Sequence, residues 1–111
     1  MIDLAPEYYQ VIKNILREKI PRVEVWIFGS RIDGKAQKYS DIDLVLVGKE
    51  KFDWRLLEQL KDAFSESDLP MIVDIIDWNA ISPEFREIIK KKYEVIQSNE
   101  VGIETILTPN A

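Results

Sequence analysis

Neither cysteine nor histidine occurs among the 111 residues of this sequence. Without cysteine the chain can form no disulfide, no thiolate metal site and no cysteine nucleophile. Without histidine it lacks the usual general base of enzymes and the commonest ligand of zinc. Any acid–base or metal chemistry must therefore rest on carboxylates, whose hard oxygen atoms suit magnesium or manganese better than zinc.

Long apolar segments and an excess of positive charge are also missing. The longest apolar runs, such as 44–47, are far too short to cross a bilayer. The first residues lack the basic start and the apolar stretch of a signal peptide. We therefore expect a cytoplasmic protein without membrane association. The net charge of −5 argues against nucleic acid as a partner, because proteins that bind duplexes usually present a basic face.

The length is that of one domain, since 111 residues are too few for two ordinary ones. A hydrophobic content of 46% supplies enough apolar surface for a core. We assign residues 1–97 to this domain and expect residues 98–111 to form a loosely ordered C-terminal tail.

Apolar spacing along the chain predicts helices that alternate with strands. The predicted helices cover 6 to about 19, 30 to about 37 (a short helix or turn), 52 to about 66, and a last one from 83 onward. The predicted strands cover 23–28, 41–47, 71–78 and, as a short edge strand, 93–96. This order predicts an α/β (α+β) fold in which helices pack on a small mixed β-sheet.

Two serines are the expected N-caps of these helices, because a serine hydroxyl can accept a hydrogen bond from a free N–H of the first turn. Ser30 would cap the short helix. Ser82 would cap the last one, with a proline next to it at the first helical position. Phe85, Ile88 and Ile89 would form the apolar side of that last helix.

Two aspartates begin the second predicted strand, in the run Asp41-Ile42-Asp43. Because side chains alternate along a strand, both carboxylates would point to one side while Ile42 points into the core. Two such carboxylates repel each other unless a cation lies between them, and a divalent ion bound there can bridge nucleotide phosphates. An isolated pair of this kind could equally be an exposed strand start.

A turn that suits phosphate precedes this pair. Gly29 and Ser30 follow the first predicted strand, where glycine lets the backbone approach a phosphate and a helix start offers free N–H groups. Taken alone, Gly-Ser is a common turn dipeptide. Given the composition of this chain, the joint pattern Gly-Ser, ten residues, Asp-x-Asp arises by chance on the order of one time in a thousand.

The joint pattern resembles the nucleotidyltransferase signature of the DNA polymerase β superfamily. It is most similar to the minimal nucleotidyltransferases, or MNT proteins, and the resemblance covers about residues 6 to 97. It implies that Asp41 and Asp43 bind catalytic Mg²⁺ or Mn²⁺, and that Gly29 and Ser30 hold the phosphates of ATP or another nucleoside triphosphate. Arg31 would contact the triphosphate, since a guanidinium matches phosphate geometry, unless it is a solvated loop arginine.

The resemblance also requires a third carboxylate on a later strand. Asp74 is our choice for this catalytic and metal-binding role, because a charge in the middle of an apolar strand needs a partner or a metal. By resemblance it would also be the general base for the acceptor hydroxyl. Asp77 is the alternative, although strand alternation places it on the opposite face from Asp74.

These residues lead to a functional hypothesis. By resemblance, the protein would transfer a nucleoside monophosphate, AMP from ATP, to an acceptor hydroxyl. The usual partner of an MNT protein is a HEPN protein encoded beside it, a toxin RNase for which the MNT protein is the antitoxin and which can receive AMP on a tyrosine. The alternative is a non-catalytic module that neutralises or assembles with a HEPN protein. No acceptor domain is visible, so a partner or a second copy in a homodimer would have to supply that part of the site.

Overall fold

The structure, a computed structural model, describes residues 2–98 of the chain. Helices and strands follow one another in the order α1 (Pro6–Lys19), β1 (Glu24–Phe28), α2 (Ser30–Asp33), β2 (Ile42–Val47), α3 (Trp54–Ser65), β3 (Val73–Asp77), a 3₁₀ turn (Trp78–Ala80), α4 (Pro83–Lys91) and β4 (Tyr93–Gln97). The predicted order of elements is confirmed, and the predicted bounds of α1 match. The predicted tail lies, apart from Ser98, outside the described residues.

The four strands form one mixed sheet in the order β3-β2-β1-β4. β1 is antiparallel to both β2 and β4, whereas β2 and β3 are parallel. The mixed sheet is as predicted, and β4 is the expected edge strand. β3 forms the other edge, so the strand that carries Asp74 has β2 as its sole strand neighbour within residues 2–98.

Helices α1 and α3 cover one face of the sheet and form the main core with it. This core contains fully or almost fully buried residues of both helices and of the two central strands: Ile12, Leu16, Leu60, Phe64, Val25, Ile27, Leu44 and Leu46. Burial of these side chains supplies the dominant favourable contribution to folding. β2 is therefore held by the two helices that pack on this face of the sheet as well as by its two neighbouring strands.

Aromatic rings pack on the opposite face of the sheet. The Trp26 ring stacks on Tyr93 with ring centres 4.0 Å apart and meets Trp78 edge-on at 5.2 Å. The Phe28 ring meets Phe85 of α4 edge-on at 5.9 Å. Edge-on and offset contacts of this kind are the favoured arrangements of aromatic rings, so β1 is held on this face too.

Local capping explains where two elements differ from prediction. α3 begins at Trp54 rather than at 52, because the Asp53 carboxylate caps it by accepting a hydrogen bond from the Arg55 N–H at 2.9 Å. β3 ends at Asp77 rather than at 78, because the Asp77 carboxylate accepts from the Asn79 N–H at 2.9 Å and starts the 3₁₀ turn.

Two further predictions on helices were wrong, and one is confirmed. Gly29 rather than Ser30 is the N-cap of α2, which is only four residues long and has no side-chain cap. Ile88 is 61% exposed, whereas Ile89 beside it is buried. The Ser82 cap is confirmed, since its hydroxyl accepts from the Phe85 N–H at 3.1 Å. No helix within residues 2–98 is long and apolar enough to span a bilayer.

Candidate active site

Parallel pairing of β2 and β3 brings two of the predicted site residues side by side. Asp43 and Asp74 are direct partners in the register of these strands. Residues paired in this way leave the same face of the sheet, and neighbouring strands are about 4.8 Å apart. Asp43 is partly buried and Asp74 is exposed. Two carboxylates that are 31 positions apart in the sequence thus share one site.

Asp41 lies one residue before β2, exposed at the end of the loop that leads into the strand. It is close enough to raise the pKa of Asp43 through its negative charge. The structure therefore brings Asp41, Asp43 and Asp74 together, although Asp41 is not positioned by strand pairing as the alternation argument supposed.

The Asp43 carboxyl has a pKa raised from 3.8 to about 6. Its partial burial is the main cause, followed by the negative charge of Asp74 and then that of Asp41. All three influences disfavour the ionised form. A positive charge placed among the three carboxylates would offset the effects of Asp74 and Asp41 on the Asp43 pKa.

The three carboxylates present oxygen donors only, which is the set that magnesium and manganese prefer. Within residues 2–98 no three acidic residues are already arranged as a closed metal-binding group. The chemistry of the donors and the raised Asp43 pKa both fit a divalent cation held by Asp41, Asp43 and Asp74.

Gly29 brings the turn that is predicted to bind phosphate next to this carboxylate cluster. Its φ of 82° is unfavourable for residues with a side chain, and a Cβ there would collide with the Asp43 carboxylate. Its carbonyl accepts hydrogen bonds from the N–H groups of Ile32 and Asp33 at 2.9 and 3.1 Å. A glycine is thus required both by the turn and by the space that Asp43 occupies.

Ser30 is the first residue of α2 and lies partly buried beside this glycine. None of the side-chain hydrogen bonds among residues 2–98 uses its hydroxyl. The hydroxyl can therefore donate to a ligand, which is the role the sequence predicts for it. Gly29 and Ser30 together place this turn directly next to Asp43.

Arg31 is buried and contacts the backbone in the structure. Its side chain is only 5% exposed, so it is not a solvated loop arginine. The guanidinium donates to the backbone carbonyls of Asp3, Lys38 and Ser40 at 3.2, 3.1 and 2.8 Å. Both terminal nitrogens of the guanidinium are thus engaged with backbone carbonyls, two of them in the loop before Asp41. The expected contact with a triphosphate stays a prediction.

Asp77, the alternative third carboxylate, occupies a different environment. Its side chain is 5% exposed and its carboxylate accepts from the N–H groups of Phe52 and Asn79 at 2.7 and 2.9 Å. It pairs with Leu46 on the core side of the sheet. The structure places Asp74, and not Asp77, beside Asp43.

A cleft of about 500 Å³ opens beside Asp74, between the end of α3 and the free edge of β3. Its lining includes Lys61, Phe64, Met71 and Ile72. Ile72 is 66% exposed, so this edge presents apolar surface next to a carboxylate. The cleft could accept part of a ligand that reaches Asp74 from the side.

Sequence reasoning missed the contacts that Arg31 makes and the closeness of Gly29 to Asp43. Backbone carbonyls carry no residue-specific signal, so the Arg31 contacts could not be found from the residue types. The closeness of Gly29 could have been found, because antiparallel pairing of β1 with β2 places Phe28 opposite Asp43 and so brings the next residue to the same point.

Comparison with known proteins gives a consistent result. The family model described as polymerase beta, nucleotidyltransferase matches residues 10–101. A curated relative from Haemophilus influenzae, the probable protein adenylyltransferase MntA, is 48% identical over 103 residues, which are 93% of this chain and 90% of the relative.

Solved structures with a similar fold come from toxin–antitoxin complexes. A crystal structure of a toxin–antitoxin with AMP-PNP matches with a TM-score of 0.61 at 22% identity, over 92% of this chain and 86% of that one. A structure of tri-AMPylated Shewanella oneidensis HEPN toxin in complex with MNT antitoxin matches with a TM-score of 0.53 at 22% identity, over 87% and 78%. At these identities the likeness concerns the fold.

Proposed function

The chain belongs to the polymerase β-type nucleotidyltransferase family, and on that premise we propose that it transfers AMP from ATP to a hydroxyl group of a HEPN toxin, for which it is the antitoxin. One observation carries this proposal. Asp43 and Asp74 are paired on adjacent strands with Asp41 close by, in a chain 48% identical to a probable protein adenylyltransferase.

Asp41, Asp43 and Asp74 would hold magnesium, or manganese in its place. The ion would polarise the α-phosphate and stabilise the charge that develops on the phosphates during transfer. Gly29 and Ser30 would hold the β- and γ-phosphates through the backbone and hydroxyl groups of the turn. The carboxylate cluster supplies negative charge, which suits the metal ion. The turn supplies hydrogen-bond donors, which suit the phosphates that the carboxylates would repel.

The transfer itself needs one proton acceptor. The acceptor hydroxyl oxygen would form a bond to the α-phosphorus of ATP while the bond to the β-phosphate oxygen breaks and pyrophosphate leaves. The hydroxyl proton would go to a carboxylate oxygen of Asp74, which is exposed on the edge strand. A protein substrate can reach this edge, since β3 has no outer strand within residues 2–98.

The acceptor side of the site would come from the HEPN partner. The described part of the chain contributes a sheet, its carboxylates and a cleft of about 500 Å³, but no second lobe that could enclose an acceptor. A second copy of this chain is the other possible source. The solved toxin–antitoxin complexes with the same fold support the HEPN partner.

The test is a transfer assay with ATP labelled on the α-phosphate, magnesium, and the HEPN protein encoded beside this gene. We expect label on the HEPN protein with the wild-type chain and none with Asp41→Ala. Glu18→Gln is the matched control, because Glu18 is exposed on α1 and away from the cluster, and it should label normally. If neither the wild-type chain nor Asp41→Ala labels the HEPN protein, the proposal of AMP transfer is contradicted. Neutralisation of the toxin without labelling would favour the non-catalytic module instead.

A further inference from the structure

Asp41 is the one member of the carboxylate cluster that lies outside the strands. Asp43 is paired with Phe28 on one side and Asp74 on the other, so its position follows from strand register. β2 begins only at Ile42. The loop before it, residues 34–41, contains no helix or strand and is mostly exposed. The peptide after Asp41 is held by the sheet, because the Ile42 N–H donates to the Ile72 carbonyl at 2.9 Å. The peptide before Asp41 has no strand partner and needs another support.

The buried Arg31 guanidinium holds this loop at two points. Its Nη2 atom donates to the carbonyls of Lys38 at 3.1 Å and of Ser40 at 2.8 Å. Its Nη1 atom donates to the carbonyl of Asp3 at 3.2 Å, and the Arg31 carbonyl in turn accepts from the Asp3 N–H at 2.7 Å. The side chain therefore ties the segment before α1 and the loop before β2 to α2.

The Ser40 carbonyl is the decisive contact, because it belongs to the same planar peptide unit as the Asp41 N–H. A hydrogen bond to that carbonyl therefore fixes the orientation of the peptide plane that precedes Asp41. Hydrogen bonds from a charged donor are shorter and stronger than neutral ones, and the rigid fork of a guanidinium can reach several carbonyls at once. A lysine at this position would keep the charge but could not hold the same set of carbonyls.

We propose that Arg31 is a positioning residue that holds Asp41 in place beside Asp43 and Asp74 for metal binding. The proposal rests on the proposed function only in that the three carboxylates bind a divalent ion. The guanidinium donates to backbone carbonyls of Asp3, Lys38 and Ser40 and to no carboxylate of the cluster. The effect is transmitted by the loop backbone.

The first test is binding of Mn²⁺ to the purified chain without ATP or partner, followed by electron paramagnetic resonance. We expect Arg31→Lys to weaken Mn²⁺ binding about tenfold or more, as loss of a geometric constraint on one of three ligands requires. Arg22→Lys makes the same chemical change at an exposed arginine and should bind as wild type does. Equal binding by Arg31→Lys and wild type would overturn the proposal.

A double-mutant cycle tests whether the effect passes through Asp41. Asp41→Asn alone should weaken Mn²⁺ binding, and adding Arg31→Lys to it should change binding by less than about twofold, because residues that act as a unit are not additive. A second full tenfold loss in the double variant would show that Arg31 acts by another route and would contradict the proposal.

A measurement on the wild-type chain keeps the proposal testable if Arg31→Lys does not fold. In metal-free protein, the backbone amide of Asp41 should have an ¹⁵N order parameter near the value of about 0.85 of rigid backbone, as for Asp43. The exposed loop residue Lys35 should be clearly more mobile. Mobility of Asp41 equal to that of Lys35 would refute positioning by Arg31. None of these three experiments needs AMP transfer, so failure of the proposed function would leave all three results interpretable.

Discussion

Asp74 and Asp77 are three residues apart on the same strand, yet they lie in opposite surroundings. Asp77 is buried on the core side, and its carboxylate accepts hydrogen bonds from two backbone N–H groups. Asp74 is exposed on the other face, where it is paired with a second carboxylate, that of Asp43. The first carboxylate is satisfied by the protein, whereas the second faces a like charge.

This difference separates a structural carboxylate from a candidate functional one. Asp77 links β3 to the start of the 3₁₀ turn and to Phe52 before α3, so its charge serves the fold. The cluster of Asp41, Asp43 and Asp74 costs the fold free energy, because like charges are held near one another. Residues that destabilise a fold in this way are candidates for binding and catalysis. Four variants test the contrast.

Asp74→Asn should have the largest effect and should separate activity from stability. Loss of a proposed metal ligand and proton acceptor should lower AMP transfer to the HEPN protein by about 10²- to 10⁴-fold. The melting temperature should not fall, since an exposed carboxylate among like charges is removed. Transfer is measured with labelled ATP, and unfolding by circular dichroism. Retained transfer would remove Asp74 from the site.

Gly29→Ala should also impair transfer, because its Cβ would displace the Asp43 carboxylate. The positive φ adds strain of about 1–3 kcal/mol. Gly34→Ala is the matched control, since Gly34 has a φ of 80° but nothing within 4 Å of an added Cβ. Both variants should unfold at lower temperature than wild type, and only Gly29→Ala should weaken Mn²⁺ binding. Equal Mn²⁺ binding by both would show that the closeness of Gly29 to Asp43 is unimportant.

Asp77→Asn should show the reverse pattern from Asp74→Asn. The amide nitrogen cannot accept from the second N–H group, so the free energy of unfolding should fall by about 1–3 kcal/mol. Urea unfolding at pH 7 measures this loss. Transfer by the folded fraction at low temperature should stay within a few-fold of wild type. Loss of transfer with unchanged stability would assign Asp77 to the reaction and invert the comparison.

Asp43→Asn removes a proposed metal ligand, but in the metal-free chain its expected effect is the smallest of the stability changes, a pH-dependent gain. Because the Asp43 pKa is raised to about 6 in the folded chain, ionisation of this group destabilises the metal-free fold as the pH rises from about 4 through 6. The variant should therefore be more stable than wild type at pH 7, by about 1 kcal/mol after allowance for solvent screening of a partly exposed group. At pH 4 or below the gain should vanish. A gain that is independent of pH would contradict the shifted pKa.

Local chemistry made much of the fold predictable. Pro6 and the apolar spacing after it predict α1, and Ser82 with Pro83 predicts the start of α4, because both signals act within one helical turn. The prediction of Ser30 as N-cap was wrong, since Gly29, one residue earlier, is the N-cap of α2. The exposure of Ile88 was missed because helical spacing cannot tell how wide a face the neighbouring elements cover.

The candidate site was predictable in its residue types and less so in its geometry. Asp41, Asp43 and Asp74 follow from a spacing and from the cost of a charge inside an apolar strand. That Asp74 lies in register with Asp43 depends on parallel pairing of β2 and β3, which no local pattern specifies. Their roles as ligands and base stay predictions until the variants above are measured.

The sequence by itself determined which chemistry is open to this protein. In a chain without histidine and cysteine, carboxylates are the predicted acid, base and metal-binding groups, and the spacing of Gly29-Ser30 to Asp41 and Asp43 indicates the family that the family model confirms. Tertiary structure alone decided which carboxylates meet and what Arg31 does. Strand pairing and buried hydrogen bonds join groups that are distant along the chain, and their partners are backbone atoms that every residue carries.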